Sequence, residues 1–358
     1  MTLPLHEFHQ SLGARFNTVN SAEVVTDYGD SLAEHAALRN SFGVLDLSFR
    51  SRVCLLGADR VRFLHGQVTN DVKKLRPGEG CYAVLVTAKG KMQSDLTIFA
   101  LQDELLLDFE PGLTAVVTER LEKYIVADDV EVVDVAPHYG LLSVQGPKAK
   151  ALQCFTDIPP NRLGTAKFSD QGLGDIYLMN NSRLGSTGFD LFVPSRSVAT
   201  VADMLMTTSE GLGGRPCGWT ACETARIEAG IPRFGADMDE TNIPLECGLE
   251  ARAVSYHKGC YIGQEVINRI HSIGHVNREL HGLRLADDLK TLPARGDKLF
   301  HDGREVGQIT SVVTSPALKA NIALGYVRRE WNGIGTELSL RSGEHESLAR
   351  LVALPFVA

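Results

Sequence analysis

The feature that most limits the possible folds is a change in the sequence pattern near residue 280. Before it, helical and strand-like patterns alternate; after it, only short alternating stretches remain, separated by glycines. Closely spaced short strands with turns between them are typical of a small all-β domain. We therefore predict an α+β chain that ends in a small β-barrel, with strands at Gly282–Leu285, Lys298–Phe300, Val306–Val313, Ile322–Val327, Glu337–Leu340 and Ser347–Val352.

The residues before this boundary form helices and strands whose ends are marked by glycine and proline. Ser31–Phe42 has apolar residues at helical spacing and stops at Gly43. Cys81–Thr87 and Met92–Leu101 are predicted strands joined by a tight Ala-Lys-Gly-Lys connection. Pro111–Val126 is a predicted helix that begins with proline, where the missing N–H costs least. A chain of 358 residues should hold two or three domains.

Charge and the absence of targeting signals narrow the possible partners. The formal net charge is −8, so the chain lacks the basic character of a protein that binds a nucleic-acid backbone. No apolar run approaches the ~18 residues that span a bilayer, and the first residues do not resemble a signal peptide. The seven cysteines contain no Cys-x-x-Cys pair and no secreted disulfide pattern. We expect a cytoplasmic protein with neither a membrane nor a nucleic acid as partner.

The densest chemical signal is the segment Lys258-Gly-Cys-Tyr-Ile-Gly-Gln-Glu265. A lysine two residues before Cys260 can lower the pKa of the thiol, and the flanking glycines can leave the sulfur accessible. Cys260 and Lys258 are therefore candidate catalytic residues. The alternative is a buried structural cysteine in a tight turn before a helix, and the sequence leaves both possibilities open.

Single polar residues in apolar surroundings are the next candidates. Asp95 lies in a predicted strand, where it is either held by structural hydrogen bonds or acts as an acid or base with a raised pKa. Arg226 and Glu228 lie near a helix end, either in a cleft or as charges in solvent. No dinucleotide or P-loop motif is present, and the histidines show no metal-ligand spacing, so we predict no bound metal.

These segments together resemble the glycine-cleavage T-protein family, in order along nearly the whole chain. The matching pieces are Gly43-Val-Leu-Asp-Leu-Ser48, Phe63-Leu-His-Gly-Gln-Val-Thr-Asn-Asp71, Gln145-Gly-Pro147, Arg226-Ile-Glu-Ala-Gly-Ile-Pro232, Pro244-Leu-Glu-Cys-Gly-Leu249 and Ile322-Ala-Leu-Gly-Tyr-Val327. Lys258–Glu265 resembles the signature of the family's YgfZ-type branch of folate-binding proteins.

The resemblance implies three domains in a ring around a central channel that holds tetrahydrofolate or a one-carbon derivative. The expected domains are 1–140, an N-terminal α+β folate-binding domain with segments returning from 215–276; 141–214, a second α+β domain; and 277–358, the β-barrel.

The same resemblance implies roles for individual residues in the channel. Asp95 matches the catalytic aspartate, Asp190 the acid that binds the pterin, and Tyr82 an aromatic residue that packs on it. Arg226 and Arg233 are candidates for the glutamate tail of the folate. Glu228, in the same central cleft segment, is a further candidate for folate binding.

Two functions from the same family compete. The first interpretation is a YgfZ-type folate-binding protein that supports iron–sulfur cluster assembly or repair, with iron–sulfur enzymes or assembly proteins as partners and Cys260 as a redox or thiol-exchange group. The alternative is an aminomethyltransferase that moves a one-carbon unit from a lipoyl carrier protein to tetrahydrofolate, with Asp95 as acid or base. A scaffold with a vestigial channel is a third possibility, so enzymatic activity is left open.

Overall fold

A computed structural model describes residues 2–152, 155–343 and 345–357. Within them the helices are α1 (His6–Ser11), α2 (Ser31–Asn40), α3 (Arg60–Gln67), α4 (Thr114–Glu122), α5 (Val198–Gly211), α6 (Trp219–Glu228), α7 (Glu250–Ala253) and α8 (Gln264–Ile273). No helix in the described part of the chain combines the length and apolar character needed to cross a bilayer.

The strands of the described residues alternate with these helices as far as α8 and then follow one another. They are β1 (Arg15–Val19), β2 (Ala22–Asp27), β3 (Gly43–Asp46), β4 (Ser51–Leu56), β5 (Gly80–Val86), β6 (Met92–Ala100), β7 (Leu105–Phe109), β8 (Glu131–Asp134), β9 (Tyr139–Gln145), β10 (Thr165–Asp170), β11 (Gly174–Met179), β12 (Gly188–Pro194), β13 (Arg215–Pro216), β14 (Arg278–Leu285), β15 (Lys298–His301), β16 (Arg304–Ser315), β17 (Ala320–Arg328), β18 (Glu337–Ser342) and β19 (His345–Val352).

A five-stranded antiparallel sheet, in the order β5-β6-β7-β4-β8, forms the wall on which the later site is built. One face of this sheet packs on α3 and α4 through a fully apolar core that includes Leu64, Leu96, Leu107 and Leu121. Because successive side chains of a strand point to opposite faces, the residues between these core positions lie on the other side of the sheet.

A six-stranded sheet has the order β10-β11-β12-β9-β3-β13, and α5 packs on its β3, β9 and β12 strands. Strand β3 comes from the first predicted domain, yet it pairs with β9 of the second. The sheet therefore draws strands from both predicted segments, and the division at residues 140 and 214 stays a prediction.

The last six strands close into a barrel in the order β14-β17-β16-β15-β18-β19. Its interior holds Leu283, Leu299, Ile309 and Leu340, all essentially inaccessible to solvent. The closed barrel and the mixed helices and strands before it confirm the predicted α+β class and the all-β C-terminal domain.

Two local elements differ from the sequence prediction. The hairpin of β1 and β2 is not anticipated, because its two-residue turn is Asn20-Ser21, with φ values of 47° and 64°, rather than a turn containing glycine. Gly146-Pro147 predicts the start of a helix that continues through Leu152. The structure has only a 3₁₀ turn over Ala149–Ala151, since its N–H groups bond three residues back.

Candidate active site

A cavity lies between the free face of the five-stranded sheet and α6. Tyr82 of β5 faces Thr97 of β6 across the ladder, and Asp95 is two residues from Thr97 on the same face. All three line the cavity because their neighbours Ala83 and Leu96 occupy the opposite, apolar face.

The other wall is one stripe of α6. Trp219, Cys222, Glu223 and Arg226 recur at helical spacing and all line the cavity. Glu228 is two residues beyond Arg226 and faces away, towards α2. The remaining lining residues are Leu47, Arg50, Glu110, Arg162, Leu163, Asn181, Ser182, Arg183, Leu184, Ile231, Pro232, Arg233 and Arg252.

Asp95 is the carboxylate best placed for chemistry in this cavity. Its Oδ2 accepts a hydrogen bond of 2.7 Å from the Tyr82 hydroxyl, whereas its buried Oδ1 has no hydrogen-bond partner among the described residues. Burial and the nearby charge of Glu110 raise the pKa of Asp95, and the hydrogen bond from Tyr82 only partly opposes them. A carboxylate with a free oxygen and a raised pKa can accept a proton from a ligand.

Behind the cavity wall, Asp108 holds two arginines that the sequence patterns do not single out. Its carboxylate accepts hydrogen bonds of 2.8 Å from both Arg50 Nε and Arg183 Nη2. Burial would raise the pKa of Asp108, but these two guanidinium groups outweigh it and lower the pKa. Like Asp95, Asp108 is a carboxylate in an otherwise apolar strand. The same sequence signal could therefore have identified Asp108 as a site residue.

Asp190, the predicted pterin-binding acid, is completely buried and does not line the cavity. Arg183 lies 2.8 Å from its carboxylate, and Asn181 donates a second bond of 2.8 Å. A direct contact between Asp190 and a ligand in the cavity would require Arg183 to move, so this role stays a prediction.

Arg226 and Arg233 line the cavity, as predicted, but protein groups already engage both. Arg226 forms ion pairs with Glu223 at 2.9 Å and Asp237 at 2.6 Å. Arg233 pairs with Glu110 at 3.1 Å and Glu223 at 3.2 Å. Their guanidinium groups have few donors left for a ligand carboxylate.

Arg162 and Arg252 differ from the other four arginines of the cavity. Neither side chain has a hydrogen-bond or ion-pair partner among the described residues. The Arg252 guanidinium lies 5.3 Å from the centre of the Tyr82 ring, and Arg162 is exposed. The sequence gives no signal for either residue, because they are 90 positions apart, Arg162 in the loop before β10 and Arg252 in the short helix α7.

Two further predicted site residues, besides Asp190, lie outside the cavity lining and have structural partners. Glu228 contacts His35, Arg39 and Ser315, which belong to α2 and the barrel. Burial would raise its pKa, but the hydrogen bonds from His35 and Ser315 help to lower it to about 2. Lys258 is likewise buried, and burial lowers its pKa to about 8.

The partners of Lys258 leave it no proton for the neighbouring thiol. Its Nζ donates to the backbone carbonyls of His65, Val68 and Asn70, the last two at 2.6 and 2.9 Å. An ammonium group has three donors, and all are used. Lys258 therefore ties the Lys258–Glu265 segment to the end of α3, and an effect of its charge on the Cys260 thiol stays a prediction.

Cys260 itself is exposed and lies outside the cavity lining, so a buried structural role for it is excluded. A reactive role for its thiol stays a prediction. Among the described residues, no group of three His, Cys, Asp or Glu side chains is arranged to hold a metal ion.

We expect iodoacetamide to label Cys260 at least about tenfold faster than the other described cysteines, because thiolate fraction and access set the rate. Burial raises the pKa of Cys81, Cys222 and Cys247 to about 12, and Cys54 and Cys217 are also buried. Peptide mapping after a brief exposure at pH 8 measures the rates. Labelling of Cys81 as fast as that of Cys260 would contradict the expected difference in thiol accessibility. A Cys260→Ser variant is the control. Cys154 lies outside the described residues and is not part of the comparison.

Two family models together match most of the chain. The GCVT N-terminal domain matches residues 5–258, and the glycine cleavage T-protein C-terminal barrel domain matches residues 278–358. The chain belongs to the glycine cleavage T-protein family.

Relatives that match this chain over nearly their full length are named aminomethyltransferase. The aminomethyltransferase of Geobacillus thermodenitrificans is 31% identical over 99% of this chain and 97% of its own length. That of Shouchella clausii is 29% identical over 99% and 96%, respectively. The glycine cleavage system aminomethyltransferase T of Bartonella henselae has the same fold, with a TM-score of 0.89, 24% identity, and coverage of 100% of this chain and 98% of that structure.

These matches correct the first functional interpretation. A role in iron–sulfur cluster assembly or repair is wrong, because relatives that match over nearly their full length are named aminomethyltransferases. Iron–sulfur proteins as partners gain no support from these matches. The Lys258–Glu265 segment, on which the YgfZ-type assignment was based, gains no support from them. The family resemblance itself is confirmed.

Proposed function

We propose that this T-protein family member is a cytoplasmic aminomethyltransferase that transfers the aminomethyl carbon from a lipoyl carrier protein to tetrahydrofolate. The bonds from that carbon to the carrier sulfur and to the amine break, two bonds to folate nitrogens form, and methylene-tetrahydrofolate, ammonia and the free dihydrolipoyl carrier are released. The observation that carries the proposal is Asp95, which lines the cavity and whose buried Oδ1 has no hydrogen-bond partner among the described residues. An unsatisfied buried oxygen is costly, so a ligand N–H at this point would be stabilising.

The residues of the cavity fit a folate. Its amine and pterin N–H groups need acceptors, and Asp95 Oδ1 is one that is free. Its flat rings need apolar surfaces, and Tyr82 and Trp219 supply aromatic walls. Its carboxylate tail needs cations, which the cavity provides in excess, since six arginines face three carboxylates among the described lining residues.

Asp95 would act as the general base of the transfer. Tyr82 fixes the carboxylate by donating to Oδ2, which leaves Oδ1 as the oxygen that would take the proton. Tetrahydrofolate supplies the nitrogen that receives the one-carbon unit. The raised pKa of Asp95 brings its basicity closer to neutral pH, which favours proton transfer.

The direct test is production of methylene-tetrahydrofolate and ammonia from an aminomethyl-loaded lipoyl carrier protein. We expect the two products in equal amounts and only when carrier and tetrahydrofolate are both present. The Geobacillus thermodenitrificans enzyme serves as the control that the carrier is competent.

Turnover by the control enzyme but not by this chain would overturn the proposal. A thermal-shift titration then separates the remaining cases. A ligand at 100 times its dissociation constant adds about 2.7 kcal/mol of stability, whereas the scaffold alternative predicts no shift with tetrahydrofolate.

A further inference from the structure

The six arginines of the cavity fall into two groups. Arg50, Arg183, Arg226 and Arg233 each contact at least one carboxylate of the protein. Arg162 and Arg252 contact none among the described residues, although both line the cavity. Unpaired arginines that face one cavity are the groups a protein would keep for an anionic ligand.

Arg162 and Arg252 are also close enough to repel each other. Arg162 is exposed at one side, but its partial burial lowers the pKa of its guanidinium, and the positive charge of Arg252 lowers it further. Two like charges near one another are unfavourable unless an anion lies between or beside them. A bound carboxylate would relieve the repulsion between Arg162 and Arg252. The other four arginines of the cavity already contact carboxylates of the protein.

We propose that Arg162 and Arg252 bind the carboxylate tail of the folate, in place of the sequence-based assignment to Arg226 and Arg233. This inference rests on the proposed function and specifies which end of the substrate lies where. It makes Arg162 and Arg252 determinants of specificity for folates that carry glutamate over pterins that lack it.

Tyr82 connects this pair to the reacting end of the site. Its hydroxyl bonds Asp95, and its ring lies 5.3 Å from the Arg252 guanidinium. A folate has an aromatic benzoyl group between its reactive nitrogens and its carboxylates. If the amine of a folate contacts Asp95 and its carboxylate tail contacts Arg252, its benzoyl ring would lie beside the ring of Tyr82.

The experiment compares two ligands, tetrahydrofolate and tetrahydropteroate, which lacks the glutamate. Dissociation constants are measured by calorimetry for the wild type, Arg162→Gln, Arg252→Gln and the double variant. Arg304→Gln, an exposed arginine of β16 that does not line the cavity, is the matched control. Melting temperatures check that each variant is folded.

We expect each substitution to weaken tetrahydrofolate binding about tenfold and to leave tetrahydropteroate binding within about twofold. Arg304→Gln should change neither constant. Raising the salt concentration should weaken tetrahydrofolate binding to the wild type more than to the double variant, because exposed charges are screened.

Each outcome decides one of the two proposals. Tetrahydrofolate binding that is unchanged in the double variant overturns the tail assignment and leaves the proposed function standing. The same holds if both ligands are weakened equally, since the arginines would then act on the pterin end or on the fold. A wild type that binds neither ligand overturns the proposed function and the tail assignment with it.

Discussion

Asp95→Asn is expected to lower kcat for methylene-tetrahydrofolate formation by about 10²- to 10⁴-fold. The amide keeps the size of the side chain and its bond with Tyr82 but cannot take a proton at the free position. Steady-state kinetics with a loaded lipoyl carrier measure the effect. The KM for tetrahydrofolate should change far less than kcat, because the lost interaction belongs to the reaction rather than to binding.

Two companion variants make this result specific. Asp103→Asn removes an exposed carboxylate in the turn between β6 and β7 and should leave kcat unchanged. Tyr82→Phe removes the bond that lowers the pKa of Asp95, so that pKa should rise and the acidic limb of the pH–kcat profile should move to higher pH. An Asp95→Asn enzyme within fivefold of the wild type would exclude Asp95 as the general base.

The sequence predicted those parts of the fold that local patterns determine. Gly282–Leu285 and its five companion stretches became the barrel because alternation and closely spaced glycines are local signals. Asp95 could be found for the same reason, since a carboxylate in an apolar strand stands out without any tertiary information. The Asn20-Ser21 hairpin shows the limit of such signals, because its turn adopts positive φ without glycine.

The parts of the site that could not be predicted depend on which distant segments meet. Whether an arginine is free or paired is decided by neighbours far away in sequence: Arg233 meets Glu110 across 123 positions. Asp190 is closed off from the cavity by Arg183, whose guanidinium contacts both Asp190 and Asp108 of another sheet. Family resemblance supplies candidate positions for such residues, but not whether their charges are already satisfied.

Glu228 was predicted as a site residue, and the structure assigns it to stability instead. Its side chain is fully buried and contacts His35 and Arg39 of α2 at 2.8 and 2.6 Å. Its other oxygen accepts a hydrogen bond from Ser315 of the barrel. One carboxylate therefore joins α6 to α2 and to the C-terminal barrel.

Glu228→Gln is expected to lower the free energy of unfolding by about 3–5 kcal/mol at pH 7. The substitution leaves the largely buried guanidinium of Arg39 without its carboxylate partner. Urea denaturation followed by circular dichroism measures the loss. Glu122→Gln, which changes an exposed glutamate at the end of α4, is the matched control and should change stability by less than about 0.5 kcal/mol.

The pH dependence of the difference in unfolding free energy between wild type and Glu228→Gln shows whether the charge of Glu228 causes that difference. In the folded protein the pKa of Glu228 is about 2, against an ordinary value of 4.5, so its charge stabilises the folded state by about 3 kcal/mol above pH 4.5. That contribution decreases as the pH falls from 4.5 towards 2, by about 1.4 kcal/mol per pH unit, because the carboxylate is protonated first in the unfolded chain. The difference in unfolding free energy between wild type and Glu228→Gln should therefore be constant from pH 7 to pH 5 and smaller at pH 3.5. A gap that does not narrow would mean that packing, rather than the charge of Glu228, holds these three elements together.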